Sequence, residues 1–148
     1  MTIQHSISIN GRKIGVGEKP YVIAELSGNH NQSIKTACAL IKAAAKSGVD
    51  AVKLQTYTAE TLTLDHDGPE FIVDLPLWSG KNLFDLYKEA YTPWEWHSEL
   101  FNLGKSLGLT MFSSPFDPTS VNFLEKLDVP AYKIASFELV DLALIEKA

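Results

Sequence analysis

The chain has 148 residues, 45% of them hydrophobic and 21% charged, with a formal net charge of −5 and a single cysteine. That is one ordinary domain's length with enough apolar material for a core, which excludes disorder, collagen-like repeats and coiled coils. No run approaches ~18 apolar residues, so no membrane span is expected, and the acidic balance argues against nucleic acid or an anionic membrane as partner. The lone Cys38 allows no internal disulfide and no cysteine-rich zinc site, and MTIQHSISINGRK shows no secretory pattern; a cytoplasmic setting fits.

In chain order, Ile7 and Ile9 at strand spacing before Asn10-Gly11 predict a β-hairpin over residues 1–16 that caps the rest of the fold. YVIAELSGNHN reads as a short buried strand running into a polar loop. Ile34, Ala37, Cys38, Ile41, Ala44 and Ala45 then fall on one helical face, with Ser33 as N-cap and Gly48 as stop; Cys38 is read as packing. VDAVKLQTY is a second strand. Residues 58–91 form an irregular insertion punctuated by Asp65, Asp67, Gly68, Pro69, Pro76, Ser79 and Gly80, with a helix over Leu83–Ala90. Thr92-Pro93-Trp94-Glu95 reads as a capping box opening a helix that buries Trp96, Leu100, Leu103 and Leu107 and ends at Gly108. LTMFSSPF is a third strand, Asp117-Pro118 starts a helix with Val121, Leu124 and Leu127 inward, VPAYKIAS is a fourth strand, and a last helix begins at Asp141.

Four strands, each followed by a helix, predict a parallel α/β fold with every strand exit at one end, where ligands collect. An open doubly wound sheet would suit the length, but the first strand–helix turn is Gly28-Asn29-His30-Asn31 rather than GxGxxG. Four β/α units over residues 20–148 are half of a (β/α)8 barrel, which typically needs ~250 residues.

Polar residues gather at these exits: Glu25, Lys53, Gln55, Ser113, Ser114, Lys133, Ser136 and Glu138. A charge in a buried strand is costly unless it is paired or binds something. Lys53 and Lys133 on separate strands suit a phosphate or carboxylate ligand if they share a mouth; the alternative pairs them with Glu25 and Glu138 as internal ion pairs. Ser114 and Ser136 could equally cap backbone, and the Gly28–Asn31 stretch could be a plain turn. His30 lacks a second ligand at metal spacing. Tyr91, Trp94 and Trp96 are read as core and cap. Two rival activities remain open on residues alone, a Schiff-base aldolase using Lys53 or Lys133 and a non-catalytic half barrel that binds a partner or itself.

IAELSGNHN, VKLQTYT, FSSPFD and AYKIASFE, in this order, resemble the N-terminal half of the sialic-acid (nonulosonic acid) synthase family. KLQTYTAETLTL and LFDLYKEAYTPWEWH are most similar to its pseudaminic-acid branch, and Tyr57 stands where some N-acetylneuraminate synthases have histidine. The resemblance spans nearly the whole chain. It implies a TIM barrel and a cytoplasmic enzyme, a homodimer at full length, that condenses phosphoenolpyruvate with an N-acetylated amino-sugar aldehyde and releases phosphate. By the same resemblance Lys53, Ser114, Lys133 and Ser136 hold phosphoenolpyruvate, Gln55 and Phe116 lie near the sugar, and Glu25 and Glu138 are the catalytic acids. Ser114 stands where some members have threonine, which keeps the hydroxyl. The implied divalent metal ion, of Mn or Mg type, polarises the aldehyde and takes its ligands outside these residues, so none here is assigned to it.

Overall fold

The computed structural model describes residues 6–74, 76 and 78–148; residues 1–5 of the expected hairpin and residues 75 and 77 of the insertion lie outside them. The hairpin pairs β1 (Ser6–Ile9) with β2 (Arg12–Gly15), Ile9 opposite Arg12. Asn10 and Gly11 both take positive φ, 49° and 79°, the mirror-image turn whose twist matches two adjoining strands. The hairpin is tied to the lower rim of the sheet: Asn10 Nδ2 donates to Thr110 Oγ1 at 3.2 Å, and Arg12 pairs with Asp50, whose Oδ2 accepts from the Val22 amide at 2.7 Å.

The main sheet is parallel, in the order β3 (Ile23–Glu25), β4 (Ala51–Thr56), β5 (Thr110–Pro115). Register fixes Glu25 opposite Lys53, Lys53 opposite Phe112 and Gln55 opposite Ser114. Helix α1 (Ile34–Lys46) crosses from β3 to β4; Ser33 Oγ accepts from the Thr36 amide, and Ala37 and Ile41 face inward. The insertion between β4 and the next crossover holds α2 (Ala59–Leu62), a 3-10 turn at Pro69–Phe71 and α3 (Leu83–Ala90), the last capped by Asn82. Then come a 3-10 turn at Trp94–Trp96 and α4 (His97–Ser106), followed after β5 by α5 (Pro118–Glu125), whose N-cap Asp117 accepts from the Thr119 and Ser120 amides. A 3-10 turn at Phe137–Val140 and α6 (Leu142–Lys147) complete the described residues.

Strand residues of one parity pack on the helices. Leu26, Ala37, Ile41, Val52, Leu54, Leu100, Phe101, Leu109, Met111 and Leu124 form one buried cluster between sheet and helices. Residues of the opposite parity, Glu25, Lys53, Gln55, Phe112 and Ser114, share the other face.

Three expectations are corrected. The fourth strand, VPAYKIAS, does not form as one. Among the described residues its backbone pairs with β5 through a Ser113–Tyr132 bridge and a Lys133 N–H to Ser113 O bond at 3.2 Å. Pro130 has no amide proton to give the ladder. Thr92 caps no helix: α4 begins at His97 with no side-chain cap, and the Thr92 hydroxyl is spent on His30. Leu107 is exposed rather than inward, because the helix ends at Ser106 and the inward set is His97, Leu100, Phe101 and Gly104. The sheet is open at β3, where Val22 and Ile23 are exposed, and Phe137, Leu139, Val140 and Leu142 expose a second apolar patch. Among the described residues no helix is long and apolar enough to cross a membrane.

Candidate active site

β4 supplies the centre of the site. Strand alternation sends Val52, Leu54 and Thr56 toward the helices and Lys53 and Gln55 to the opposite face. Lys53 is 4% exposed, and its ammonium lies 3.4 Å from Glu25 Oε1 on the neighbouring strand. One of the two internal ion pairs weighed from sequence is therefore present, with Glu25 still largely open to solvent. Lys133 makes no such pair with Glu138.

Ser114 is buried beside Gln55, and its Oγ finds no hydrogen-bond partner among the described residues. Leaving a buried hydroxyl unpaired costs about 1–3 kcal/mol, a penalty that a ligand oxygen would remove. The Ser113–Tyr132 bridge continues the parallel register and sets Lys133 level with Ser114. Glu138 carries a second buried oxygen, Oε2, without a partner among the described residues. Ser136 is exposed on the same segment.

Gln55 of β4, Phe116 at the exit of β5 and Glu138 of the Phe137–Val140 turn line one cavity of about 490 Å³. Neither lysine lines it, so the cationic row lies beside this cavity rather than within it. Its remaining wall is Tyr57 and Phe137 with Leu62, Trp78, Leu86, Tyr87 and Ala90 from the insertion. Tyr57 meets Phe116 and Tyr87 edge-to-face at 5.4 and 5.9 Å. Burial, helped by the neighbouring Tyr87, pushes the Tyr57 hydroxyl up to about 12, so it stays protonated at neutral pH. Phe116 is set by α5, since Ser120 Oγ accepts from its amide at 3.1 Å.

Behind β4 and β5 runs a buried polar chain. His97 Nδ1 lies 3.2 Å from Pro93 O, a group that only accepts, so Nδ1 carries the proton and Nε2 is an acceptor. Thr56 Oγ1, 2.9 Å away, then donates to Nε2 and accepts from Ser113 Oγ at 2.7 Å. Burial holds His97 down at about 4, hence neutral. The chain locks the ends of two strands whose next residues, Tyr57 and Ser114, face the ligand side. Cys38 packs half-buried against the core, its thiol raised by burial.

Sequence reasoning assigned no role to Tyr57 beyond branch resemblance and missed Thr56, His97 and the insertion wall. Period-2 alternation through AVKLQTY would have separated Thr56 from Tyr57; Leu86 lies on the helical stripe of α3, whereas nothing periodic marks Trp78.

The NeuB family model matches residues 40–148. The chain belongs to the NeuB family. This NeuB chain is 51% identical over 131 residues to the pseudaminic acid synthase of Helicobacter pylori and 49% identical over 124 residues to that of Campylobacter jejuni. Those matches cover 88% and 84% of this chain but only 38% and 36% of the relatives, so the chain spans well under half their length. In three dimensions it resembles the N-acetylneuraminic acid synthetase of Leptospira borgpetersenii with a TM-score of 0.81 at 25% identity, covering 97% of this chain and 46% of that one. The resemblance of the four motifs to this family holds, and so does that of KLQTYTAETLTL and LFDLYKEAYTPWEWH to pseudaminic acid synthases.

Among the described residues no group of three or more His, Cys, Asp or Glu side chains is arranged to hold a metal ion. His30 and His97 each have both ring nitrogens in hydrogen bonds, which leaves neither a lone pair for one. The donor set present does not fit the implied divalent cation.

Proposed function

We propose that this chain supplies the substrate-binding floor of a (β/α)8 synthase that joins phosphoenolpyruvate to an N-acetylated amino-sugar aldehyde, giving a pseudaminic-type nonulosonic acid and phosphate. The observation that carries it is the convergence of Gln55, Phe116 and Glu138 on one cavity, beside a row in which the orphaned Ser114 hydroxyl stands between Gln55 and Lys133. Lys53, Lys133, Ser114 and Ser136 hold the phosphate and carboxylate by charge and position. Gln55 and Phe116 receive the sugar. C3 of phosphoenolpyruvate forms the new bond to the aldehyde carbon, water adds at C2, and the C2–O bond breaks so that the bridging oxygen leaves with phosphate. Glu25 or Glu138 orients that water or a substrate hydroxyl as general base.

Closure of the remaining barrel against β3 and the Phe137–Leu142 patch would cover the exposed apolar residues. A cytoplasmic homodimer is the form proposed for the whole enzyme. A divalent cation enters this proposal only as a group held outside these residues, and no step assigned to this chain runs through it.

The test is phosphate release by the complete synthase from phosphoenolpyruvate labelled with ¹⁸O at the bridging position. Release that requires an amino-sugar aldehyde and carries the label into phosphate supports the reading. Borohydride trapping of Lys53 or Lys133 with a keto acid would replace it with the aldolase. Glu25→Gln is expected to slow turnover; unchanged turnover removes Glu25 from the catalytic set.

A further inference from the structure

The Gly28–Gln32 loop, whose Gly28–Asn31 stretch is read from sequence as a turn holding a lone histidine, is neither free nor metal-binding. Three non-glycine residues around it, Ser27, Asn31 and Gln32, hold positive φ near 50°, a backbone state that persists only when surroundings fix it. The end of the insertion fixes it. The Gln32 amide donates to Glu89 O at 2.9 Å and to Tyr91 O at 2.7 Å, using both its protons on carbonyls at the end of α3 that the helix itself leaves without partners. His30 is fully buried; its Nδ1 accepts from the Gln32 backbone N–H, so Nε2 bears the proton and donates to Thr92 Oγ1 at 3.2 Å. Its ring edge rests on Trp96 at 5.4 Å, and burial lowers its pKa, keeping it neutral. Gly28 lies so close to α3 that a Cβ there would meet Ala90 O at 2.7 Å and Ala90 Cβ at 3.2 Å.

Leu86, Tyr87 and Ala90, on the helix so gripped, line the cavity with Gln55. We propose that Gly28, His30 and Gln32 are positioning residues, a clasp that sets the height of α3 over the floor and thereby the fit of the acceptor sugar, not of phosphoenolpyruvate. The sugar part rests on the function proposed above; the grip on α3 does not.

In the complete synthase, Gln32→Ala, Gly28→Ala and Thr92→Val are compared with wild type, and Thr92→Ser serves as the conservative rescue. The expected result is an acceptor KM raised roughly tenfold with phosphoenolpyruvate KM within about twofold of wild type, and recovery in Thr92→Ser. Amide hydrogen exchange of Leu83–Ala90, read without substrate, rises in the same three variants. Unchanged exchange overturns the clasp whatever the kinetics. Faster exchange with an unmoved acceptor KM, or a fall in kcat alone, overturns its role in the sugar site. A wild-type enzyme that releases no sugar-dependent phosphate defeats the proposed function and the sugar part with it, and exchange still decides the grip.

Discussion

The floor and the roof of the cavity are built by opposite means. The floor sits on β4 and β5, paired over six successive residues, with a buried polar chain of His97, Thr56 and Ser113 bolting the two strand ends together. The roof comes from the insertion, where short helices are joined by turns and held from outside. Trp94 Nε1 donates to Tyr57 O at its entry, and the Gly28–Gln32 clasp closes its exit. A ladder places side chains to a fraction of an ångström, as charge recognition demands, whereas a clasped roof can change its lining without disturbing the sheet.

The largest expected break in that division is Lys53→Met. Removing one buried cation from the floor is expected to lower kcat/KM for phosphoenolpyruvate by about 10²–10³, measured by phosphate release, while exchange of the roof amides is unchanged. Acid offers a second test. His97 titrates near 4 folded and near 6.5 unfolded, so the unfolded state binds the extra proton first as pH falls. Its contribution is fully present above about pH 6.5 and is lost progressively toward pH 4, of order 3 kcal/mol in all, read from denaturation midpoints across that range. Thr56→Val should flatten nothing in the roof but strip His97 Nε2 of its donor and Ser113 of its acceptor, costing about 1–3 kcal/mol by chemical denaturation. The smallest effect is Ser33→Ala, which removes the cap of α1 just beyond the clasp and should cost about 1 kcal/mol with both KM values unmoved.

The floor was largely legible. Alternation in AVKLQT, the 3.6-residue stripe of α1, and caps at Ser33, Asp117 and Asp141 all carry local signals, and the exits they define hold Gln55, Ser114 and Phe116. The fourth segment misled because its strand-like composition says nothing about partners, and Pro130 has no amide proton to give a ladder. Thr92 misled differently: Thr-Pro-Trp-Glu is a sound capping pattern, but a buried histidine from 62 residues away claimed the hydroxyl. In the roof, Leu86 and Tyr87 lie on the helical stripe of α3 that the sequence carries, but only tertiary packing shows that this stripe and Trp78 wall the cavity.

The central claim is that the cationic row beside the cavity, and not the cavity wall, binds the phosphorylated acid. Titration of the complete synthase with phosphoenolpyruvate, followed by ³¹P resonance, tests it most directly. Binding weakened at least about tenfold by Lys53→Met and by Lys133→Met, and left intact by Tyr57→Phe, is the predicted result. Equal affinity in both lysine variants and wild type would contradict it.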